Sequence, residues 1–254
     1  MNHTKEGRNR FTTISIANTI TNTTNHYSFK NSLYHGKGSL TKADKSTYVG
    51  DFQFGLFHGR GRRIYLNQDV YDGEFVKGNR HGKGRILFAN QDTYEGTWKD
   101  DMMTGKGTYR MKSGRIYDGE FFNGWRHGRG MCRWPDGSLY EGSFDKDFMK
   151  GQGRYVWPDG SVYDGTWDES ERHGKGTMKF NSKANHGETY EGFWHNGKRS
   201  GLGKTIFLNG KIHEGEYKDD NQNGQGTIKW ADGIVIKTTY TNIITYSHHH
   251  FHHD

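Results

Sequence analysis

The sequence predicts an all-β chain, an elongated single antiparallel sheet or solenoid of stacked 23-residue β-hairpins, and three observations carry that prediction. One letter pattern restarts at Tyr48, Tyr71, Tyr94, Tyr117, Tyr140, Tyr163, Tyr190 and His213, in steps of 23 residues apart from one step of 27 between Tyr163 and Tyr190. A fixed period in this range marks an array of supersecondary units. Inside each unit the alternation has period two, a strand signature: Tyr117, Gly119 and Phe121 fall on one face and Asp118 and Glu120 on the other. Aromatic and glycine columns recur at fixed offsets from the tyrosine, as a stack of identical hairpins requires.

Four residues after each starting position stands a ring: Phe52, Phe75, Trp98, Phe121, Phe144, Trp167, Trp194 and Tyr217. Seventeen residues after it stands a second column, Tyr65, Phe88, Met111, Trp134, Trp157, Phe180, Phe207 and Trp230. Glycine holds offsets two, eleven and thirteen in every unit, and the structural set includes Gly73, Gly82, Gly84, Gly96, Gly119, Gly128, Gly130, Gly142 and Gly165. With no side chain at these points a ring can lie across its neighbouring strand, and the backbone can take turn conformations closed to other residues.

The pattern Tyr-x-Gly-x-Phe/Trp followed by Gly-x-Gly resembles the MORN repeat, an antiparallel hairpin unit whose copies stack into a gently twisted sheet. The resemblance covers residues 48 to 236, preceded by a partial unit in which His35-Gly36-Lys37-Gly38 matches the second half. Departures are few. His213 replaces the tyrosine of the last full unit, and Thr104, Lys150, Ser200 and Asn223 replace the common histidine before Gly-x-Gly.

Taken in order, residues 1–47 form an Asn/Thr-rich basic leader with that partial repeat near 35–40. Lys and Arg outnumber Asp and Glu by 36 to 29 overall and by 7 to 2 in the leader, so the leader carries +5 of the formal +7 and the rest is nearly neutral. No apolar run in it is long enough for a signal peptide or a membrane span. Residues 48–236 hold the repeats. Only 30% of the chain is hydrophobic and 37 residues are glycine, thin material for a compact core. Ordering a hairpin opposes roughly 1–2 kcal/mol of backbone entropy per residue, while one buried aromatic returns about 1.5–3 kcal/mol, so stability must come from unit packing on unit. Eight units at about 10 Å each predict a rod near 80 Å long. Connections sharpen from Asn-Gln-Asp at 67–69 and 90–92 to Pro-Asp-Gly at 135–137 and 158–160. Four extra residues within 181–186 are expected to bulge from one edge, leaving Gly187 tolerant of substitution. Residues 237–254 read as a last strand and cap followed by a His-rich tail.

Catalytic chemistry finds no constellation here. Gly78 to Gly84 mimics a phosphate loop, but only three residues separate its first two glycines and Gly84 stands where Ser or Thr is needed. His58, His81, His127 and His173 recur about 10 Å apart, too far for one metal to bridge, and are expected to bond the turn backbone. The acidic ladder Asp72, Glu95, Asp118, Glu141, Asp164, Glu191 and Glu214 offers many equal positions where catalysis needs one pocket of unlike environments, and is expected to pair with Lys83, Lys106 and Arg129. The single cysteine, Cys132, faces inward and forms no internal disulfide, as in a reducing compartment. The expectation is therefore a non-enzyme with no cofactor, no metal site and no nucleic-acid partner; flexible polar tails are commoner than metal-binding ones.

What the resemblance implies is a scaffold in a large assembly. MORN proteins occur in ciliary axonemes, including radial spoke heads, and at cytoskeleton–membrane junctions, so the expected location is cytoplasmic and cytoskeletal, above all the axoneme of a cilium or flagellum. The candidate partner groove, for helical or extended protein segments, is lined by Tyr71, Phe75, Tyr94, Trp98, Tyr117, Phe121, Trp134, Tyr140, Phe144, Trp157, Tyr163, Trp167, Tyr190 and Trp194, with Trp98 and Trp167 as exposed energetic centres. A homodimer through the sheet edge is also allowed. The alternative is a module binding acidic phospholipid, since MORN repeats of plant phosphoinositide kinases are linked to such lipids and the basic leader could reach a membrane surface. MORN repeats also precede lipid kinase and SET methyltransferase domains, so a third expectation, for a chain that is a piece of a longer protein, is an enzyme-targeting segment.

Overall fold

The computed structural model describes residues 28–30, 33–181 and 187–240, all of them in β-strands and the turns between them. Residues 1–27 of the leader, the inserted residues 182–186 and the tail from 241 onward lie outside the described residues. The chain divides into two compact units, residues 1–101 and 102–254.

The first unit holds β1 (Ser28–Lys30), β2 (Leu33–Thr41), β3 (Thr47–Gln53), β4 (Leu56–Ile64), β5 (Val70–Val76), β6 (Asn79–Leu87) and β7 (Thr93–Lys99). Each strand pairs antiparallel with the next in chain order. The second unit is built the same way from β8 (Met102–Arg110), β9 (Ile116–Phe122), β10 (Trp125–Arg133), β11 (Leu139–Asp145), β12 (Phe148–Val156), β13 (Val162–Asp168), β14 (Glu171–Lys179), β15 (Thr189–His195), β16 (Lys198–Ile206), β17 (Ile212–Lys218), β18 (Asn221–Lys229) and β19 (Val235–Tyr240). Its pairings also follow chain order. The hairpin array read from the sequence is therefore the architecture of each unit.

Two kinds of turn alternate, and local chemistry selects both. Within a repeat, two residues close the hairpin with positive φ at each, as at Asn123 (50°) and Gly124 (87°). This is the primed turn whose twist matches the strands, and Asn, Asp and Gly tolerate it best. Between repeats the second aromatic column starts the turn: the Trp134 N–H donates to the Ser138 carbonyl at 3.0 Å and the Gly137 N–H to the Trp134 carbonyl at 3.1 Å. The Asp136 carboxylate accepts the Ser138 N–H at 2.8 Å, and these bonds hold its carboxyl below the usual carboxylate range.

The core of each unit is a single layer of rings on one face. Tyr117 meets Phe121 of its own repeat and Phe144 of the next, edge to face, at 5.1 and 5.0 Å. Tyr140 repeats this with Phe144 and Trp167 at 5.1 and 5.5 Å, and Tyr163 with Trp167 and Trp194 at 5.2 and 5.4 Å. In the first unit Tyr71 stands between Phe75 and Trp98 at 5.1 and 5.4 Å. Each of these tyrosines thus joins its own repeat to the next, which is how hairpins too small to bury a core alone share one. Cys132 lies in this layer, fully buried as its strand position predicts, with the Arg115 Nε donating to its Sγ at 3.0 Å.

Candidate functional site

The glycines explain how a ring layer fits on one sheet. Gly119 and Gly130 face each other across β9 and β10, and the Tyr117 ring lies over the pair with its hydroxyl donating to the Glu120 carbonyl at 2.8 Å. A Cβ on Gly119 would stand 2.5 Å from both the Tyr117 hydroxyl and the Gly130 Cα. Gly128 serves differently. Its φ of +65° forms a β-bulge, where β10 slips register against β9 between Arg126 and Gly130, and a Cβ there would strike the Glu120 carboxylate. It also stands opposite Phe144 of the next repeat. The tryptophans close over such glycines and bond them: Trp98 Nε1 donates to the Gly84 carbonyl at 3.1 Å and Trp167 Nε1 to the Gly153 carbonyl at 3.0 Å.

This packing corrects the exposure expected of the groove. Tyr71, Phe75, Tyr94, Trp98, Tyr117, Phe121, Tyr140, Phe144, Tyr163, Trp167, Tyr190 and Trp194 are all buried, Trp98 and Trp167 with only 2% and 4% of their surface exposed. Each sits between edges of its neighbours and above a glycine floor, so the sheet's own rings take the contacts that a partner would need. Burial pushes the phenols up in pKa, Tyr94 to about 12. Trp134 and Trp157 are the two groove candidates that stay partly exposed. The structure brings them together through Tyr155, whose ring lies 5.4 Å from Trp134 and 4.6 Å from Trp157, and 5.9 Å from Trp167 beneath. The Arg115 guanidinium stands 4.8 Å over the Trp134 ring.

One recurrent contact was not foreseen. Nine residues after the tyrosine, Arg80, Arg126 and Arg199 each reach 21 residues ahead to the hairpin tip of the following repeat. Arg126 Nε donates to Asp147 Oδ1 at 2.9 Å and Nη2 to the Asp147 carbonyl at 2.7 Å, while its backbone N–H shares the same carboxylate at 2.9 Å. Arg80 holds Asp101 and Arg199 holds Asp220 in the same manner. Arg172, whose tip is Gly197, bonds that carbonyl and stands 4.2 Å over Trp194. Where the arginine is absent, as at Met103 and Met149, the tip residues are Gly124 and Ser170.

The polar columns occupy the face away from the rings. His127 does not bond the turn; its Nδ1 lies 3.2 Å from Asp145, and His81 Nδ1 lies 3.8 Å from Asp100. The bulge explains this, because it turns the histidine toward the next hairpin's acid. The acidic ladder stands in register with offset fourteen rather than with Lys83, Lys106 and Arg129: Asp72 pairs with Arg62 and Arg85, and Glu214 with Lys204, whose Nζ is 2.9 Å away. Lys83 instead donates to Thr97 Oγ1 at 2.9 Å. Among the described residues no three His, Cys, Asp or Glu side chains gather as metal ligands would. At the repeat's one substituted tyrosine, His213 is fully buried and bonds Tyr217 through Nδ1 at 2.7 Å; its Nε2 has no partner, and burial lowers its pKa.

The family profile for the MORN repeat matches nine stretches, residues 28–47, 48–70, 71–93, 94–114, 117–139, 140–162, 163–184, 190–212 and 213–235. The chain belongs to the MORN-repeat family. The first MORN stretch takes in residues whose sequence shows the Gly-x-Gly half alone. No curated protein matches the chain. Among solved structures it is similar to the TCP10 domain of Danio rerio CPAP in complex with a peptide of Danio rerio STIL, at 12% identity and a TM-score of 0.45 over 80% of this chain and 94% of that one. It is also similar to the SAS-4 (dCPAP) TCP domain of Drosophila melanogaster in complex with a proline-rich motif of Ana2, at 14% identity and a TM-score of 0.35 over 80% and 90%.

Proposed function

We propose that this MORN-repeat chain is a non-catalytic scaffold that holds a protein segment on its ring face, as a structural subunit of a ciliary, axonemal or other cytoskeletal assembly. The observation carrying the reading is the partly exposed trio Trp134, Tyr155 and Trp157, set on the buried Trp167 and beside Arg115. Aromatic rings that are already fixed in place lose little entropy on binding, and Trp, Tyr and Arg are the side chains that dominate protein interfaces. Repetition supports the same reading, because each unit's array offers many equal polar positions in place of one reactive pocket.

The test is partner capture from native extract at low and high salt, with wild type and the Trp134→Ala/Trp157→Ala variant. Capture of axonemal or cytoskeletal proteins, little changed by salt and weakened at least tenfold in the variant while its melting is unchanged, is the expected outcome. Capture indifferent to both tryptophans overturns the assignment. Sedimentation with acidic liposomes that is salt-sensitive and vanishes on removal of residues 1–47 would instead favour the phospholipid module, because headgroup attraction is screened over about 8–10 Å at physiological salt.

A further inference from the structure

On the face away from the rings, along the row of hairpin tips in the second unit, four large apolar side chains stand in the open. Met102, Phe122, Trp125 and Phe148 are 43%, 57%, 53% and 50% exposed. They are not scattered. Phe122 and Trp125 are direct cross-strand partners at the tip of β9 and β10, and Phe148 holds the equivalent place one repeat on, paired with Asp145. The tips themselves are fixed, since the Gly124 N–H donates to the Met103 carbonyl at 2.9 Å and the Asp147 N–H to the Arg126 carbonyl at 3.0 Å. Among the described residues, the two-residue turns at these tips leave no loop of their own that could fold over the strip. One more repeat along, the same two places are acidic: Asp168 and Glu171 pair across β13 and β14 with Glu169 between them at the tip, and Lys150 answers only Asp168, at 3.3 Å. The first place of each outgoing strand therefore runs Met102, Trp125, Phe148, Glu171, three apolar side chains and then an acid, while the facing place holds Phe122 at the second tip and the acids Asp145 and Asp168 at the next two.

We propose that this strip docks an amphipathic helix of a partner protein, with apolar side chains seven residues apart and Lys or Arg one further heptad on. Spacing decides for a helix. Successive tips are two strands apart, about 9.6 Å, and seven residues of α-helix rise about 10.5 Å, whereas same-face side chains of an extended strand recur about every 6.7 Å. The run from Met102 to Glu171 spans three such steps, so a helix of roughly 20 residues covers it. Charge decides for its polarity and against two other occupants. The acidic end repels anionic headgroups, and a second copy, bringing an identical strip, would set that end against either the same acids or bare apolar rings. This surface is separate from the Trp134–Tyr155–Trp157 trio and stands whether or not that trio binds.

The experiment titrates the full chain into a fluorescein-labelled, 21-residue helical peptide with Leu at heptad spacing and Lys in its last two turns, read by anisotropy. A second peptide carries Glu for Lys. The expected result is binding of the Lys peptide that Trp125→Ser with Phe148→Ser weakens at least tenfold, and that Glu171→Lys weakens while strengthening the Glu peptide. Because these side chains are exposed, the variants should melt with wild type, and Leu202→Ser, elsewhere on the same face, should bind unchanged. No binding, equal loss in Leu202→Ser, or indifference to Trp125 overturns the proposal. So does wild-type self-association by sedimentation velocity that Trp125→Ser abolishes, which would give the strip to a second copy.

Discussion

The Tyr117 ring occupies the space where a side chain on Gly130 would begin. A Cβ built on Gly130 meets the ring's Cζ and Cε2 as well as the hydroxyl, and the facing Gly119 is closed by the same ring. Gly119→Ala should therefore destabilise by roughly 2–4 kcal/mol through overpacking. Gly124→Ala, at φ +87° with nothing within 4 Å, pays only for its backbone conformation, about 1 kcal/mol. Urea denaturation of the two variants checks the order, and equal midpoints would contradict the ring-over-glycine packing. Gly187 is no longer expected to be neutral: its φ is +63° and a Cβ would stand 2.8 Å from Leu208.

The arginine clamp should show itself by comparison with an ordinary ion pair. Arg126→Lys keeps the charge but loses the forked geometry to Asp147, and with Asp147 40% exposed the expected cost is about 1 kcal/mol. Lys198→Ala, which removes the solvent-exposed pair with Asp219 at 3.8 Å, should change stability by a few tenths at most. Thermal melts of both variants at matched salt separate the two cases.

Acid should loosen the His213 repeat. Burial lowers the folded pKa of this imidazole, with Lys211 adding to the effect, so below about pH 6.5 the unfolded chain takes up a proton that the folded one resists. Stability is complete above that pH and declines as pH falls toward the folded pKa. His213→Tyr restores the ring of the other repeats and should remove this part of the pH dependence. Chemical denaturation at pH 7.5 and 5.5 is the measurement, and parallel losses in both proteins would exclude His213 as the cause.

Alkali should act in the opposite sense. The tyrosines at the repeat starts have folded pKa values raised by burial, Tyr94 to about 12, above the unfolded value near 10. Their stabilisation is intact below pH 10 and is lost as pH climbs through the folded values. Absorbance at 295 nm during a base titration should report few ionising phenols until circular dichroism shows the sheet unfolding, after which the rest titrate together. Smooth ionisation of the whole set near pH 10 would contradict the buried ring layer.

How much of this was legible follows from which contacts stay in phase with the repeat. The hairpins, the Tyr117 ring over Gly119 and Gly130, and the burial of Cys132 all repeat every 23 residues or follow from alternation, and were readable. The degree of burial was not, because it depends on Phe144 of the next repeat closing the open side of Tyr117. Arg126 and Asp147 escaped because neither position is uniform along the chain, and a contact between two variable columns leaves no periodic trace. His127 was misassigned because the register slip at Gly128 rotates it out of the simple alternation. Phe122 and Trp125 stand in columns of mixed character, five and eight residues after the tyrosine, and only their cross-strand pairing makes them a patch.

Identical hairpins face a hazard that compact folds do not: a chain that misaligns by one whole repeat recovers nearly every ring, glycine and turn. The uneven arginine column works against that error. Shifted one repeat, Arg126 would meet the Ser170 or Gly124 tip in place of Asp147, leaving a guanidinium without its carboxylate and an aspartate stranded beside a methionine. The sequence variation that hides the clamp from a periodic reading thus distinguishes the correct stack from one shifted by a single repeat, through the few positions where the repeats disagree.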